Sequence, residues 1–227
     1  MNFKYLLTNK LEVKKSNKLN FEKHSKIKYN KIKIKGRNNC ITTSDNSVLK
    51  ECHIEITGDN NNITLSANSK VAKCKIQITA NNSYIKFDEN TNIQGSNIHQ
   101  FSNEGTISIG EYTTFTGVNL ISEETNNQII IGKNCMFSYG INIRNTDSHP
   151  IYDLDNYLIN KGKQVTINNN VWVGMDVTIL RGSNIEDGCV IGAKSLVSGN
   201  INKKNSIVAG VPAKIIRENI KWERKFK

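Results

Sequence analysis

The stretch from Asn145 to Asp153 reads NTDSHPIYD and holds His149, one of four histidines in the 227-residue chain. An imidazole titrates near neutrality, so it can take a proton from a reacting group at working pH. Asp147, two residues earlier, either orients that ring or contacts a substrate hydroxyl, or it simply shapes a turn, as aspartate often does. Trp172 stands between Val171 and Val173 in NNVWVG. Strand alternation turns it outward, which is costly for so large an aromatic unless something covers it. His24 lies in a lysine-rich end. His53 and His99 lie in polar runs beside apolar columns and read as solvated strand-face residues. None of the four has a second histidine or a carboxylate at ligand spacing, so no metal site is expected. Five cysteines, odd in number and without a CxxC pair, argue against a disulfide framework or a zinc site.

Such residues need a scaffold, and the scaffold is a repeat. A shift of 22 residues aligns Leu19, Ile41, Ile63, Ile85, Ile107 and Ile129. It also aligns Ile27, Leu49, Val71, Ile93, Phe115 and Phe137, and then Ile32, Ile54, Ile76, Ile98 and Leu120. A polar column of Asn17, Asn39, Asn61, Ser83, Gly105 and Asn127 reads as a recurring turn. From about residue 131 the period becomes six, in INNNVW, VGMDVT, ILRGSN, IEDGCV, IGAKSL and VSGNIN. Three such units make one 18-residue coil. The columns join across one 18-residue insertion, giving Ile109, Ile131, Ile167 and Ile185, then Phe115, Phe137, Val173 and Ile191. A third joined column is read as Ile121, Ile143, Ile179 and Val197. The implied structure is an all-β solenoid of stacked coils, with one loop excursion at about residues 147–164 that opens beside His149. Cys135 and Cys189 fall in an inward small-residue column, and Cys52 and Cys74 repeat at 22, so all four read as packing.

The net charge is +11 but sits at the ends. Residues 1–35 carry eleven Lys against two Glu, and residues 214–227 carry six Lys or Arg against two Glu. The body is near neutral, and the basic ends lack interleaved Arg or aromatics, which argues against nucleic acid. They suit a membrane surface or a polyanion instead. The opening residues hold no apolar core of signal-peptide length, and no stretch approaches the ~20 apolar residues of a membrane-spanning helix. With the unpaired cysteines, a reducing cytoplasmic setting is expected. The domain reading is a basic segment at residues 1–18, a solenoid at 19–212, and a tail at 213–227. In that tail Ile215, Ile216, Ile220 and Trp222 stand near helical spacing, so a short C-terminal helix is expected after Pro212.

The phrases VWVG, VIGAKSLVSG and SIVAGVPAKIIR, over roughly residues 105–217, resemble the left-handed β-helix, or hexapeptide-repeat, acyltransferases. NTDSHPIYD followed by NNNVWVGM narrows the resemblance to bacterial sugar O-acetyltransferases acting on sialic acid or capsular polysaccharide. Three positions depart from the pattern: Asn168 stands for a Gly, Gln164 for a common Pro, and Lys194 for a common Gly.

The resemblance implies a homotrimer that uses acetyl-CoA in grooves between neighbouring prisms, with a carbohydrate acceptor and no metal. It implies His149 as general base and Trp172 lining the groove to position acetyl-CoA. Asn119 is implied as a substrate contact, and Tyr139, Asn142 and Asp147 are candidate sugar contacts in the same region. Gly174, Ala193, Lys194 and Ser195, on successive turns past the Trp coil, suit the pantetheine arm. Lys194, Lys214 and Arg217 suit its phosphates. The same scaffold also fits amino-sugar N-acyl transfer, serine acetylation or a non-catalytic assembly module.

Overall fold

The computed structural model describes residues 8–225. They form 27 strands in three sheets of nine, eight and ten strands, each running along the stack. Successive coils pair parallel, so the three sheets are the faces of a triangular prism. The first face runs from Lys10–Val13 to Leu196–Val197, the second from Lys18–Phe21 to Asn184–Ile185, and the third from Lys26–Lys28 to a terminal hairpin. Among the described residues no helix is long and apolar enough to cross a membrane.

The local sequence explains the strands. In Lys31–Lys35, KIKIK, Ile32 and Ile34 are buried while the lysines point out. Many lysines of the N-terminal end are therefore outward residues of ordered strands. Among the described residues the first strand of the stack is Lys10–Val13, where Leu11 pairs with Ile32, inside the stretch that charge alone sets apart. The 22-residue columns are partners in register: Ile41 with Ile63, Leu49 with Val71, and Ile76 with Ile98. Nearly every member is fully buried, and each such burial contributes about 1.5–3 kcal/mol. Cys52, Cys74, Cys135 and Cys189 are buried among them. Burial pushes the Cys135 thiol up to about 11, and the Cys52 thiol is also raised, so both are poor nucleophiles.

Left-handed residues turn the chain at all three edges. Asn38, Asn60, Asn82 and Asn126 do so between the first and second faces, and Asn46, Asn68, Asn90, Asn134 and Asn170 between the second and third. Asn tolerates this region better than most residues. The polar column follows immediately after the first set, and its Asn39, Asn61 and Ser83 lie inside. Asn39 donates from Nδ2 to Asn17 Oδ1 at 3.0 Å, and Asn61 repeats this to Asn39 at 3.0 Å. The recurring turn is thus also a buried amide ladder.

Two expectations are corrected. Ile121 is not in the inward column: Leu120 pairs with Ile143, and Ile121 faces outward beside Arg144. The step from Phe115 to Phe137 is 22 residues, but from Leu120 to Ile143 it is 23. The added residue falls in the corner that holds Tyr139. The short C-terminal helix is absent as well. Ala213–Arg217 forms a strand antiparallel to Ile207–Gly210, and Asn219 is left-handed with φ 57°. Apolar spacing over so few residues fits helix or strand, and here the open edge of the third sheet supplies backbone partners that decide it.

Asn61→Ala tests the ladder. It removes an Nδ2 donor to the Ala80 carbonyl and the Oδ1 acceptor of the Ser83 amide. Urea denaturation should show a loss of about 1–3 kcal/mol for each buried group left unpaired.

Candidate active site

The chain leaves the stack after the strand Ile141–Arg144 and re-enters at Val165–Ile167. The excursion therefore hangs from the edge between the first and second faces. Its neck is closed by the Lys163 amide, which donates to the Asn145 carbonyl at 2.9 Å. Asn145 itself is fully buried and tied to the preceding coil, donating from Nδ2 to Ser122 Oγ at 3.1 Å. Beyond the neck the loop is a small hairpin in which Tyr152 bridges Leu158.

His149 is exposed at the start of this loop and lines a groove of about 190 Å³ with Glu123, Glu124, Asp147, Asn160 and Lys161. Its backbone is fixed, since Asn160 Nδ2 donates to the His149 carbonyl at 2.8 Å. Asp147 does not hold the imidazole. Its Oδ2 accepts from Arg181 Nε at 2.7 Å and from Asn160 Nδ2 at 3.1 Å. The Arg181 guanidinium, together with Asn160, holds the Asp147 carboxyl below the usual carboxylate range. Of the readings open for Asp147, the observed contacts are those of a loop brace.

Glu123, Glu124, Asn160 and Lys161 are members of this groove that sequence reasoning missed. Glu123 Oε2 accepts from Thr146 Oγ1 at 2.8 Å and Ser148 Oγ at 2.6 Å, the residues before and after Asp147. Glu124 Oε2 accepts from the Gly162 amide at 2.8 Å, at the other end of the loop. The repeat brings Glu123 there: the 23-residue step of this coil sets it beside Thr146.

The other expected site residues fall elsewhere. Asn119 and Asn142 are adjacent on the first face, with Asn119 Nδ2 donating to Asn142 Oδ1 at 3.1 Å. Tyr139 lies at the edge between the third and first faces and is exposed, its hydroxyl 3.2 Å from Met175 Sδ. Gly174, Ala193 and Lys194 follow on the same edge one and two coils later. A Cβ at Gly174 would meet the Ala193 amide nitrogen at 2.8 Å, so this glycine serves the close stacking of two coils. Lys194 has φ 59°, the reason glycine is favoured there, and its Nζ reaches Asp176 at 3.9 Å. Ser195 is buried, its hydroxyl donating to the Gly192 carbonyl at 2.7 Å and accepting from the Gly210 amide at 3.2 Å, so it is occupied inside the coil. Lys214 and Arg217 lie exposed on the terminal hairpin strand. Trp172 points outward from the third face and is 38% exposed.

The remaining histidines separate. His53 is exposed, as expected. His99 is half-buried against Phe101 at 5.3 Å, burial lowers its pKa, and its Nδ1 is buried without a partner, so it is not a solvated residue. His24 Nδ1 lies 3.4 Å from Asp45, and with Glu22 this exposed trio brings possible ligand atoms within 4.8 Å, a spacing the linear sequence did not reveal.

No protein-family model matches the chain. In sequence, it is 43% identical over 96 residues to the polysialic acid O-acetyltransferase of Neisseria meningitidis. That match covers 42% of this chain and 45% of the relative, less than half the length of either. In structure, it superposes on the polySia-specific acetyltransferase NeuO with TM-score 0.77 and 27% identity, over 94% of this chain and 92% of that one. The fold and its hexapeptide coils are those of the left-handed β-helix acyltransferases. The polysialic acid O-acetyltransferase OatWY is similar too, with TM-score 0.59 and 28% identity over 96% of this chain and 92% of that one.

Arg181→Met tests the brace. Partly exposed pairs of this kind are worth up to about 1 kcal/mol, so hydrogen exchange across residues 146–162 should quicken up to roughly fivefold at neutral pH. Because the Asp147 pKa is lowered in the folded chain, its stabilising effect is complete above the ordinary value of 3.8 and is lost as pH falls below it. Below that range the parent and R181M should exchange alike.

Proposed function

We propose that this chain is an O-acetyltransferase that moves acetyl from acetyl-CoA to a sugar hydroxyl of an acidic surface glycan of the capsular type. The observation that carries the reading is the segment of His149. The coils stay in register without the 18-residue excursion, yet five side-chain hydrogen bonds hold its ends and leave the imidazole at a groove. The relatives' names supply the acceptor class, polysialic acid.

The chemistry follows from the groups available. The sugar hydroxyl oxygen attacks the thioester carbonyl as His149 takes its proton. The new C–O bond forms, the C–S bond breaks, and the proton passes from His149 to the departing thiolate of CoA. Backbone amides near Trp172 stabilise the oxyanion. No acyl-enzyme is required, because the Cys52 and Cys135 thiols are poor nucleophiles and the Ser195 hydroxyl is enclosed. Gly174, Ala193, Lys194, Lys214 and Arg217 follow one another toward the end of the prism, a course on which a pantetheine arm and its phosphates fit. Asn119, Tyr139 and Asn142 are the proposed acceptor contacts.

The active enzyme is a homotrimer in this reading. His149 is on the edge between the first two faces, and Trp172 is on the third face, opposite that edge of the prism. One chain therefore keeps them apart, and a shared groove needs two neighbouring prisms. The excursion also leaves Leu154, Tyr157, Ile159 and Ile151 exposed at its tip, apolar surface that a neighbouring subunit would cover. The lysine-rich first coils would attract an anionic acceptor, and supply of acetyl-CoA places the reaction in the cytoplasm.

His149→Ala should bind acetyl-CoA as the parent does and lose acetyl transfer by about 10²–10⁴-fold, the usual contribution of a positioned base. Mass spectrometry of polysialic acid incubated with each protein and acetyl-CoA reads the result, and retained transfer would sink the mechanism. Light scattering should give three times the 25.5 kDa chain mass.

A further inference from the structure

Trp172 is not bare, and what covers it comes from the far end of its own chain. Its ring centroid is 6.0 Å from that of Trp222, with the planes inclined by 45°. Trp222 is held in turn, as its Nε1 donates to the Asn170 carbonyl at 2.6 Å. The contact belongs to a longer path. After the terminal hairpin the left-handed Asn219 turns the chain, and the Ile220 amide donates to the Asn205 carbonyl at 2.9 Å. Two residues beyond Trp222, the Arg224 guanidinium donates to the Cys135 carbonyl at 2.8 Å, the Tyr112 carbonyl at 2.9 Å and Thr114 Oγ1 at 2.9 Å. The tail therefore runs back down the prism past five coils and is tied to four of them.

These ties have a consequence for Trp172. It stands on a two-residue strand, with Met136 and Val190 as its neighbours in the outward row. Neither is large enough to define the orientation of an indole. Trp222 covers one side of the ring and leaves the rest, 38% of the residue, open to whatever enters the groove.

We infer that Trp222 is a positioning residue that sets the orientation of Trp172, that Arg224 anchors it, and that the C-terminal tail thereby shapes one wall of the acyl-donor groove. This rests on the reading that Trp172 lines that groove. A displaced wall misplaces the thioester, and small misplacements at a reacting centre are costly.

The chain has two tryptophans, so W222A and W222F each leave Trp172 as the sole indole fluorophore. Acrylamide quenching of Trp172 should be several-fold stronger in W222A than in W222F. The KM for acetyl-CoA should rise roughly tenfold in W222A, with kcat falling less, and W222F should recover most of the loss. R224M keeps the ring but frees it, and should move KM in the same direction by a smaller factor. If W222A fails to fold, R224M against W222F carries the comparison. A tail that only braces the stack would lower the melting temperature of W222A and R224M while KM and quenching stayed at parent-like values, and that result overturns the proposal. A parent that binds acetyl-CoA and turns over beside an unchanged W222A sinks this inference alone. A parent that does not bind acetyl-CoA sinks the functional reading with it.

Discussion

A single coil of this prism carries inward aliphatic side chains and has nothing of its own to bury them against. Its neighbours above and below supply that surface, through parallel ladders that stack Ile on Ile at strand spacing. Everything else follows from this mutual burial. The coils must stay in register, because slipping by one residue would turn the inward column outward. The corners must turn sharply, so left-handed residues recur at each edge. Polar groups that the corners bury must find partners, and the amide ladder through Asn39 and Asn61 supplies them.

A scaffold of this kind is rigid along its length and indifferent to what hangs from its edges. The excursion at residues 146–162 uses that freedom. It leaves through a buried asparagine bonded to Ser122 of the preceding coil and returns through a backbone bond to the same residue. Carboxylates of the preceding coil and an arginine of the following one hold its ends. The His149 backbone is thus fixed by a rigid frame, while its side chain stays exposed to meet a substrate.

The opposite face is built differently. There the third sheet presents Trp172 outward, and the C-terminal tail folds back over it. The apolar residues of this tail are few, and their spacing fits a helix as well as a strand. The open edge of the third sheet settles its first part, and the rest is tied to backbone carbonyls more than fifty residues away, which no local pattern reports.

The sequence by itself determined the architecture, because burial in a stack forces one inward residue type at one spacing, and that spacing is visible as columns. It also determined that the segment of His149 stands outside the repeat, since removing it leaves the columns aligned. The displacement of Ile121 was beyond its reach: one added residue in the Tyr139 corner changes which side chain faces in, and both candidates are aliphatic. Asp147 was equally undecided, because its choice between histidine and turn depended on Arg181, thirty-four residues on. Only the tertiary structure put Arg181 beside Asp147, Glu123 beneath Ser148 and Trp222 against Trp172. These contacts join residues from different coils, and their partners are set by where the coils stack, not by anything written near them in the chain.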